Sequence, residues 1–274
     1  MSAPTVALAL GLGGARGLAH IAVIEALDEL GVRPKAIAGA SIGALIGAGY
    51  AAGMSGHEIR AYATTLLRNR GEVMRRIFAI RVGRVTDLFS TGNPMLADAE
   101  GFVEKFLPGA VPRNFSDLKI PLTVVATDFW QRKEVVFGAG ELRPAIAGSI
   151  AVPGLLRPVE HDGRVLVDGG AVNPLPFDLL RGAADIVIAV DVTGGPTGRS
   201  RGVPAPFEAL FSTLAIMSHT IAGEKLKGGA PDLLLRPNVD AFGMLDFFRA
   251  TPILRAAEPI KDELKRKLGA LLDQ

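Results

Sequence analysis

The stretch Gly39-Ala40-Ser41-Ile42-Gly43 is the most informative part of the chain, because it sets a serine between two glycines directly after the apolar run Lys35-Ala36-Ile37-Ala38. A strand that turns sharply into a helix at such a serine presents the hydroxyl at the top of a sheet. Gly39 and Gly43 let neighbouring backbone pack closely around the turn. The pattern predicts a nucleophile elbow at Ser41, although a small residue that begins a helix can also serve packing alone. Ser41 therefore needs partners elsewhere in the chain.

Length and composition indicate a globular protein. The chain has 274 residues, of which 49% are hydrophobic and 21% charged, enough to build one large core. A net charge of +2 is too small to argue for nucleic-acid binding. The chain has no cysteine, which excludes disulfides, thiolate metal sites and cysteine nucleophiles.

Apolar runs and helical periodicity predict alternating strands and helices. The chain opens with strand, helix, strand and helix over 5–10, 18–30, 35–38 and 41–52. Further strands are expected at 122–127, 134–137, 165–167, 186–190 and 233–235. This order predicts an α/β fold, a three-layer α/β/α sandwich around a mostly parallel central sheet. We expect a single domain over 1–274, with its core at about 6–192 and the C-terminal strand and helices, about 205–274, packed on it.

Targeting and surface features are sparse. The N-terminus lacks the basic segment of a secretory signal, and no apolar stretch reaches the roughly 20 residues that span a bilayer. We therefore expect a cytoplasmic protein whose membrane contact is at most peripheral, at the inner face. Arginines mix with bulky apolar residues over 68–84, which fits a lid, an interfacial patch facing anionic head groups or a docked amphipathic helix. A surface loop is expected at 194–206 and a packing helix, which could line an acyl pocket, at 207–217.

A glycine cluster, Gly11-Leu12-Gly13-Gly14-Ala15-Arg16-Gly17, follows the first strand. A dinucleotide fingerprint would need a glycine in place of Arg16 and an acid at the end of the second strand, and both are missing. Backbone N–H groups at such a turn, backed by a helix dipole, instead suit an oxyanion hole. We assign Gly13, Gly14, Ala15 and Arg16 to this loop. Arg16 could hold the loop, bind an anionic head group or form an ordinary salt bridge.

A serine nucleophile also needs a proton acceptor, and two kinds are available. Of the four histidines, only His219 is a serious candidate for a Ser–Asp–His triad. Asp168 directly follows the strand 165–167 and precedes Gly169-Gly170, so its carboxylate emerges at a strand end where backbone can come close. An Asp-Gly turn whose side chain bonds its own backbone is the structural alternative for the same residues.

Together these motifs resemble the patatin-like phospholipase family. The resemblance covers most of the chain and is carried by the segments 13–20, 39–45, 124–128, 145–154 and 167–170. It implies a Ser41–Asp168 dyad without histidine, an oxyanion loop at Gly13 and Gly14, and neither cofactor nor metal. One departure is that plant members open the glycine turn with Asp-Gly-Gly-Gly, where this chain has Gly11-Leu12-Gly13-Gly14.

The resemblance implies a serine acyl hydrolase that cleaves carboxylic ester bonds of lipids, as a phospholipase A, lysophospholipase or esterase. The expected partners are a lipid or other acyl ester and at most a membrane surface, with no nucleic acid. Because the reference pKa of an aspartate is about 3.9, we expect Asp168 in a mostly apolar pocket that strengthens it as a base. Two alternatives stay open: a weakly active or non-catalytic, membrane-associated regulatory protein of this fold, and an α/β-hydrolase esterase with a Ser-Asp-His triad.

Overall fold

An eight-stranded sheet forms the centre of the computed structural model, which describes residues 4–82, 97–195 and 202–272. Its strands are β1 Val6–Leu10, β2 Ala36–Ala40, β3 Leu122–Asp128, β4 Lys133–Phe137, β5 Val159–His161, β6 Arg164–Asp168, β7 Ile186–Val190 and β8 Leu233–Leu235. They are ordered β5-β6-β3-β2-β1-β7-β8, and β4 also pairs with β3. The pairs among β3, β2, β1, β7 and β8 are parallel, whereas β4 and β6 on β3, and β5 on β6, are antiparallel.

Helices cover both faces of the sheet, which confirms the predicted three-layer α/β/α sandwich. The helices are α1 His20–Glu29, α2 Ile42–Ala51, α3 Gly56–Arg68, α4 Arg70–Val82, α5 Ala99–Phe106, α6 Leu142–Ser149, α7 Pro206–Lys227, α8 Ala250–Ala257 and α9 Ile260–Leu272. Alternation along β1 divides the core, since Val6, Leu8 and Leu10 enter the larger apolar cluster and Ala7 and Ala9 the smaller one. Near the C-terminus, β8 pairs with β7 and α9 packs against α1.

The strands predicted from the sequence are present, and four of them are longer than expected, two of which carry the candidate site. The strand predicted at 35–38 runs to Ala40 because Gly39 and Ala40 pair with β3. Antiparallel pairing with β3 likewise extends the strand predicted at 165–167 to Asp168. The helix predicted at 18–30 is a 3₁₀ turn over Gly14–Ala19 that continues into α1. Part of the predicted loop at 194–206, namely 196–201, lies outside the described residues, and α7 already begins at Pro206.

Strands β2 and β6 meet end to end along one edge of β3. Strand β4 pairs with β3 over Val124–Asp128, so β2 and β6 share the opposite edge. The last residue of β2, Ala40, pairs with Val125, and the last residue of β6, Asp168, pairs with the adjacent Ala126. Because β2 runs parallel and β6 antiparallel to β3, their carboxyl ends face each other. The opposed directions of β2 and β6 thus bring Asp168 beside Ser41.

A buried carboxylate ties α1 to α3 and α9. The Glu25 side chain is fully buried, and it accepts hydrogen bonds from Arg60 Nε at 2.5 Å and Nη2 at 2.6 Å. Lys261 Nζ lies 2.6 Å from Glu25 Oε2. Burial raises the pKa of Glu25, but the bonds from Arg60 and Lys261 outweigh burial, and the pKa ends below its usual value. This cluster braces the helical layer outside the sheet.

We expect Glu25→Gln to lower the free energy of unfolding by about 3 kcal/mol, because the amide leaves two cations without their buried partner. The folded-state pKa of Glu25 is depressed, so its stabilisation is present above the unfolded pKa of about 4.3 and is lost as the pH falls through the folded value. Urea unfolding of the wild type and the variant at about pH 7 and about pH 3 measures the difference. A difference that stays constant between the two pH values would contradict the assignment.

Candidate active site

Ser41 stands between β2 and α2 in a backbone conformation that non-glycine residues rarely adopt. Its φ is 54° and its ψ is −125°, and only 5% of the residue is exposed. Such a conformation costs on the order of 1–3 kcal/mol and persists only where the surroundings enforce it. Ser41 is thus a strained residue between a strand and a helix. This is the nucleophile elbow that the sequence predicts.

Two glycines make the tight packing of this elbow feasible. A Cβ atom at Gly39 would lie 2.6 Å from the backbone nitrogen of Ala44, which is in the first turn of α2. A Cβ atom at Gly43 would strike the Leu10 carbonyl and lie 2.9 Å from the carbonyl oxygen of Gly11. The start of α2 therefore packs directly on the end of β1 and on the glycine loop.

The structure brings Ser41 and Asp168 together. Ser41 Oγ donates a hydrogen bond to Asp168 Oδ2 at 2.5 Å, and both residues are buried. The other carboxylate oxygen, Oδ1, accepts from the Gly170 amide at 2.8 Å. Asp168 thus makes the self-capped Asp-Gly turn with one oxygen and contacts the serine with the other. A Cβ at Gly169 would strike the Val125 carbonyl, so this turn also needs its first glycine.

Burial sets the electrostatics of Asp168. Desolvation raises the pKa of Asp168, whereas the hydrogen bonds from Ser41 and Gly170 lower it. Desolvation is the larger effect, and the pKa is raised to about 6. An aspartate with this pKa is ionised at neutral pH, yet it is a stronger base than an exposed aspartate. Asp168 thus has the burial that a carboxylate acting without histidine needs, and the apolar character of its pocket stays a prediction.

The glycine loop presents two open amides beside the elbow. Gly14 has a φ of 57° and begins the 3₁₀ turn, and neither its amide nor that of Gly13 has an acceptor within the described residues. The Ala15 amide is engaged, since it donates to the Met244 carbonyl at 2.7 Å. The Ala15 amide is therefore occupied in this geometry, and Gly13 and Gly14 stay as the candidate oxyanion donors of the loop.

Arg16 is buried behind the same loop. Its guanidinium lies against Gly194, where a Cβ would be 2.8 Å from Arg16 Cζ, and Nε and Nη2 have no partner within the described part of the chain. Burial lowers the pKa of Arg16, whereas Asp240 and Asp191 favour its charged form. An ordinary salt bridge is not seen for Arg16 among these residues, and its unpartnered Nε and Nη2 are closed to solvent.

No histidine bonds Ser41 or Asp168, and all four lie in the described segments. His219 Nδ1 lies 3.1 Å from Thr193 Oγ1, an arrangement unlike that of a triad. His20 Nε2 lies 2.7 Å from the Gly11 carbonyl and must donate there, because a carbonyl only accepts. Burial lowers the pKa of His20 to about 4, so its neutral ring braces the glycine loop.

Sequence reasoning did not single out three contacts that hold the pair in place. Ser149 Oγ accepts from the Ser41 amide at 2.9 Å, Thr127 Oγ1 donates to the Asp168 carbonyl at 2.8 Å, and the Asp168 amide donates to the Ala151 carbonyl at 3.1 Å. The resemblance supplies the only signal for them, since these residues lie in the segments 124–128 and 145–154 that carry it.

Comparison with known proteins places this site in a family. The family model described as patatin-like phospholipase matches residues 8–181, more than half of the chain and both members of the Ser41–Asp168 pair. The chain belongs to the patatin-like phospholipase family. The match also covers the glycine loop, whereas Met244, which engages Ala15, lies beyond it.

Similar sequences occur in bacteria and animals. An uncharacterized NTE family protein of Mycobacterium tuberculosis is 41% identical over 201 residues, which cover 73% of this chain and 52% of that protein. Patatin-like phospholipase domain-containing protein 6 of Mus musculus is 30% identical over 269 residues, which cover 89% of this chain and 19% of that protein. The chain thus spans about half the length of the mycobacterial relatives it matches.

A solved structure shows the same fold. The crystal structure of VipD from Legionella pneumophila aligns with a TM-score of 0.53 at 16% identity, covering 96% of this chain and 67% of that one.

Within the described ranges of this chain, no cluster of three or more potential ligands could hold a metal ion, and no helix is both long and apolar enough to cross a bilayer.

Proposed function

We propose that this protein is a serine acyl hydrolase that cleaves carboxylic ester bonds of lipids, with Ser41 as nucleophile and Asp168 as general base. The observation that carries the proposal is the 2.5 Å hydrogen bond between Ser41 Oγ and Asp168 Oδ2 at a strained, buried strand-to-helix turn. Membership of the patatin-like phospholipase family supports a lipid hydrolase in general. The dyad and the class of ester are the finer parts of the proposal.

Acylation begins when Asp168 takes the hydroxyl proton of Ser41 as Oγ attacks the ester carbonyl carbon. The carbonyl π bond opens, and the negative charge moves to its oxygen. The open amides of Gly13 and Gly14 are the groups proposed to stabilise that oxygen. As the tetrahedral intermediate collapses, the C–O bond to the alcohol breaks, and protonated Asp168 returns the proton to the departing oxygen.

Deacylation repeats the sequence with water. Asp168 takes a proton from a water molecule whose oxygen attacks the acyl-Ser41 carbonyl, and the same loop faces the new oxyanion. Collapse releases the carboxylic acid, and Asp168 returns the proton to Ser41 Oγ. The raised pKa of Asp168 suits both directions of transfer, because the base must lose its proton again in each half-reaction.

Catalysis by this dyad should be independent of His219. We expect His219→Ala to retain kcat/KM on a short acyl ester within about twofold, because Thr193, rather than the dyad, contacts the ring. Steady-state kinetics at neutral pH measures this. A loss comparable to that of a nucleophile variant would instead favour the Ser-Asp-His alternative.

The pH dependence should report the base. Since burial raises the pKa of Asp168 to about 6, we expect kcat/KM to be constant above that pH and to fall about tenfold per pH unit below it, as the carboxylate becomes protonated. A soluble ester substrate keeps lipid aggregation out of the measurement. An acidic limb near pH 4, the value of an unperturbed aspartate, would contradict the desolvated base.

The surface beside the dyad supports a lipid substrate. Helix α7 contacts the Gly169–Ala171 turn, and Phe207, Leu210, Ile216 and Met217 on this helix expose about half or more of their surface. The prediction of a mere packing helix at 207–217 is therefore wrong in part, since few of its large side chains are buried. We propose that this face contacts acyl chains or a membrane surface.

The segment 68–84 adds a second apolar surface. Over Arg70–Val82 it forms α4, which packs against α3 and α5 and whose Val73 is buried. Met74 and Phe78 are exposed, while Arg76 Nη1 donates to the Lys105 carbonyl at 2.8 Å. The docked-helix interpretation fits these contacts. A role as a lid stays a prediction, and 83–84 lie outside the described residues.

A substrate screen tests the proposed function. Phospholipid, lysophospholipid and short acyl esters are offered to the wild type and to Ser41→Ala, and released fatty acid is measured. We expect hydrolysis by the wild type alone, with the preferred ester class decided by the screen. Absence of Ser41-dependent release from every ester would overturn the proposal and favour a non-catalytic member of the fold.

A further inference from the structure

The carboxyl end of α6 contacts both members of the dyad. Its last residue, Ser149, is fully buried, and its Oγ accepts the Ser41 amide at 2.9 Å. Two residues later, the Ala151 carbonyl accepts the Asp168 amide at 3.1 Å. A segment of three residues therefore bonds the backbone of the nucleophile and the backbone of the base.

The contact to Ser41 is made where the backbone is strained. Ser41 holds a φ of 54°, which the surroundings must enforce, and its amide belongs to the strained peptide. A buried amide without an acceptor is unfavourable, so the Ser149 hydroxyl favours this orientation of the turn over relaxed ones. The direction of the bond is unambiguous, because an amide N–H only donates.

We infer that Ser149 is a positioning residue, which holds Ser41 in its strained conformation and, with the Ala151 carbonyl, sets the separation of Ser41 Oγ from Asp168. This inference rests on the proposed function. Ser149 acts through the Ser41 backbone, so its loss should slow the chemical step without weakening substrate binding. A displacement of about 1 Å in such a pair is enough to slow a reaction by about two orders of magnitude.

Kinetics on a soluble short acyl ester separates positioning from general stability. We expect Ser149→Ala to lower kcat by about 10- to 100-fold with KM within about twofold, and Ser149→Thr, which keeps the hydroxyl, to recover most of kcat. The matched control is Tyr50→Phe. Tyr50 lies at the end of α2 away from Ser41, its side chain is fully buried, and its hydroxyl donates to Asp28 Oδ1 at 3.1 Å. This control should keep kcat even if its melting temperature falls.

The acidic limb of the pH profile is a second readout. The hydrogen bond from Ser41 lowers the pKa of Asp168, so displacing Ser41 should move that limb to higher pH in Ser149→Ala but leave it in place in Tyr50→Phe. Folded Ser149→Ala with wild-type kcat and an unmoved limb would overturn the inference. So would a kcat loss that Ser149→Thr does not relieve while both variants remain folded.

Two further measurements keep the test decisive. If Ser149→Ala fails to fold, Ser149→Cys replaces it, because a thiol is a weaker and longer acceptor and should give an intermediate kcat. The rate at which a fluorophosphonate labels Ser41 reports nucleophile geometry without turnover. A wild type that is labelled but hydrolyses no ester refutes the proposed function alone, whereas equal labelling of wild type and Ser149→Ala refutes the positioning role.

Discussion

Ser41→Ala should abolish ester hydrolysis, lowering kcat by about 10⁴-fold or more, because the attacking oxygen is removed and no acyl-enzyme can form. The variant should fold, since alanine occupies the space of serine and the Ser41 amide can still bond Ser149. Removing the hydroxyl also removes a bond that lowers the pKa of Asp168. We therefore expect that carboxyl to titrate above its wild-type value of about 6.

Fluorophosphonate labelling and fatty-acid release measure this loss together. The matched control is Ser116→Ala, which removes an exposed serine hydroxyl and should keep both labelling and turnover. Mass spectrometry of the labelled wild type should locate the adduct on Ser41. Labelling at another serine, or more than a tenth of wild-type turnover in Ser41→Ala, would remove Ser41 from the mechanism.

Asp168→Asn should lower kcat by about 10³- to 10⁴-fold, because an amide cannot accept the serine proton. The amide oxygen can still accept from Gly170, so the turn should survive. An Asn-Gly pair can deamidate back to aspartate, and fresh protein checked by mass spectrometry is needed. Asp168→Ala, which cannot revert, is the companion variant. Full turnover in either variant, with intact mass, would refute the assigned base.

Asp168→Asn should also raise the free energy of unfolding above neutral pH. Asp168 has a folded-state pKa of about 6 against the ordinary value of 3.8 for an aspartate, so folding disfavours its ionised form. This cost is absent below the unfolded pKa, grows between the two values and is complete above about pH 6, where about two pKa units correspond to roughly 3 kcal/mol. Asp168→Asn should therefore unfold at higher urea than the wild type at about pH 8, with the gap closing toward about pH 4.

The local features of the site could be predicted from sequence because they depend on neighbouring residues. A serine between Gly39 and Gly43 after an apolar run specifies a tight strand-to-helix turn, and the structure has the strained backbone there. Asp168 before Gly169 likewise indicates a strand end with a capped turn, and its Oδ1 makes that cap. Neither pattern says whether the two turns meet, since 127 positions separate them.

Apart from the dyad that the family resemblance implies, contacts between distant segments were beyond sequence reasoning. Ala15 looks like any other amide of the glycine loop until the Met244 carbonyl is seen to accept from it. Ser149 reads as an ordinary residue at a helix end, because its bond to Ser41 spans 108 positions. The exposure of α7 was hidden too, since an apolar run does not reveal which face finds a partner.

Residue patterns in the sequence indicate the kinds of group present: a hydroxyl on an elbow, a carboxylate on an Asp-Gly-Gly turn and a glycine loop. The family resemblance implies that the serine and the carboxylate meet, and only the tertiary structure shows how: β2 and β6 run toward each other along the same edge of β3 and end opposite the adjacent residues Val125 and Ala126. Strand direction depends on long-range pairing, which local residue patterns do not encode. Asp168 lies against Ser41 because β2 and β6 run in opposite directions and their carboxyl ends face each other.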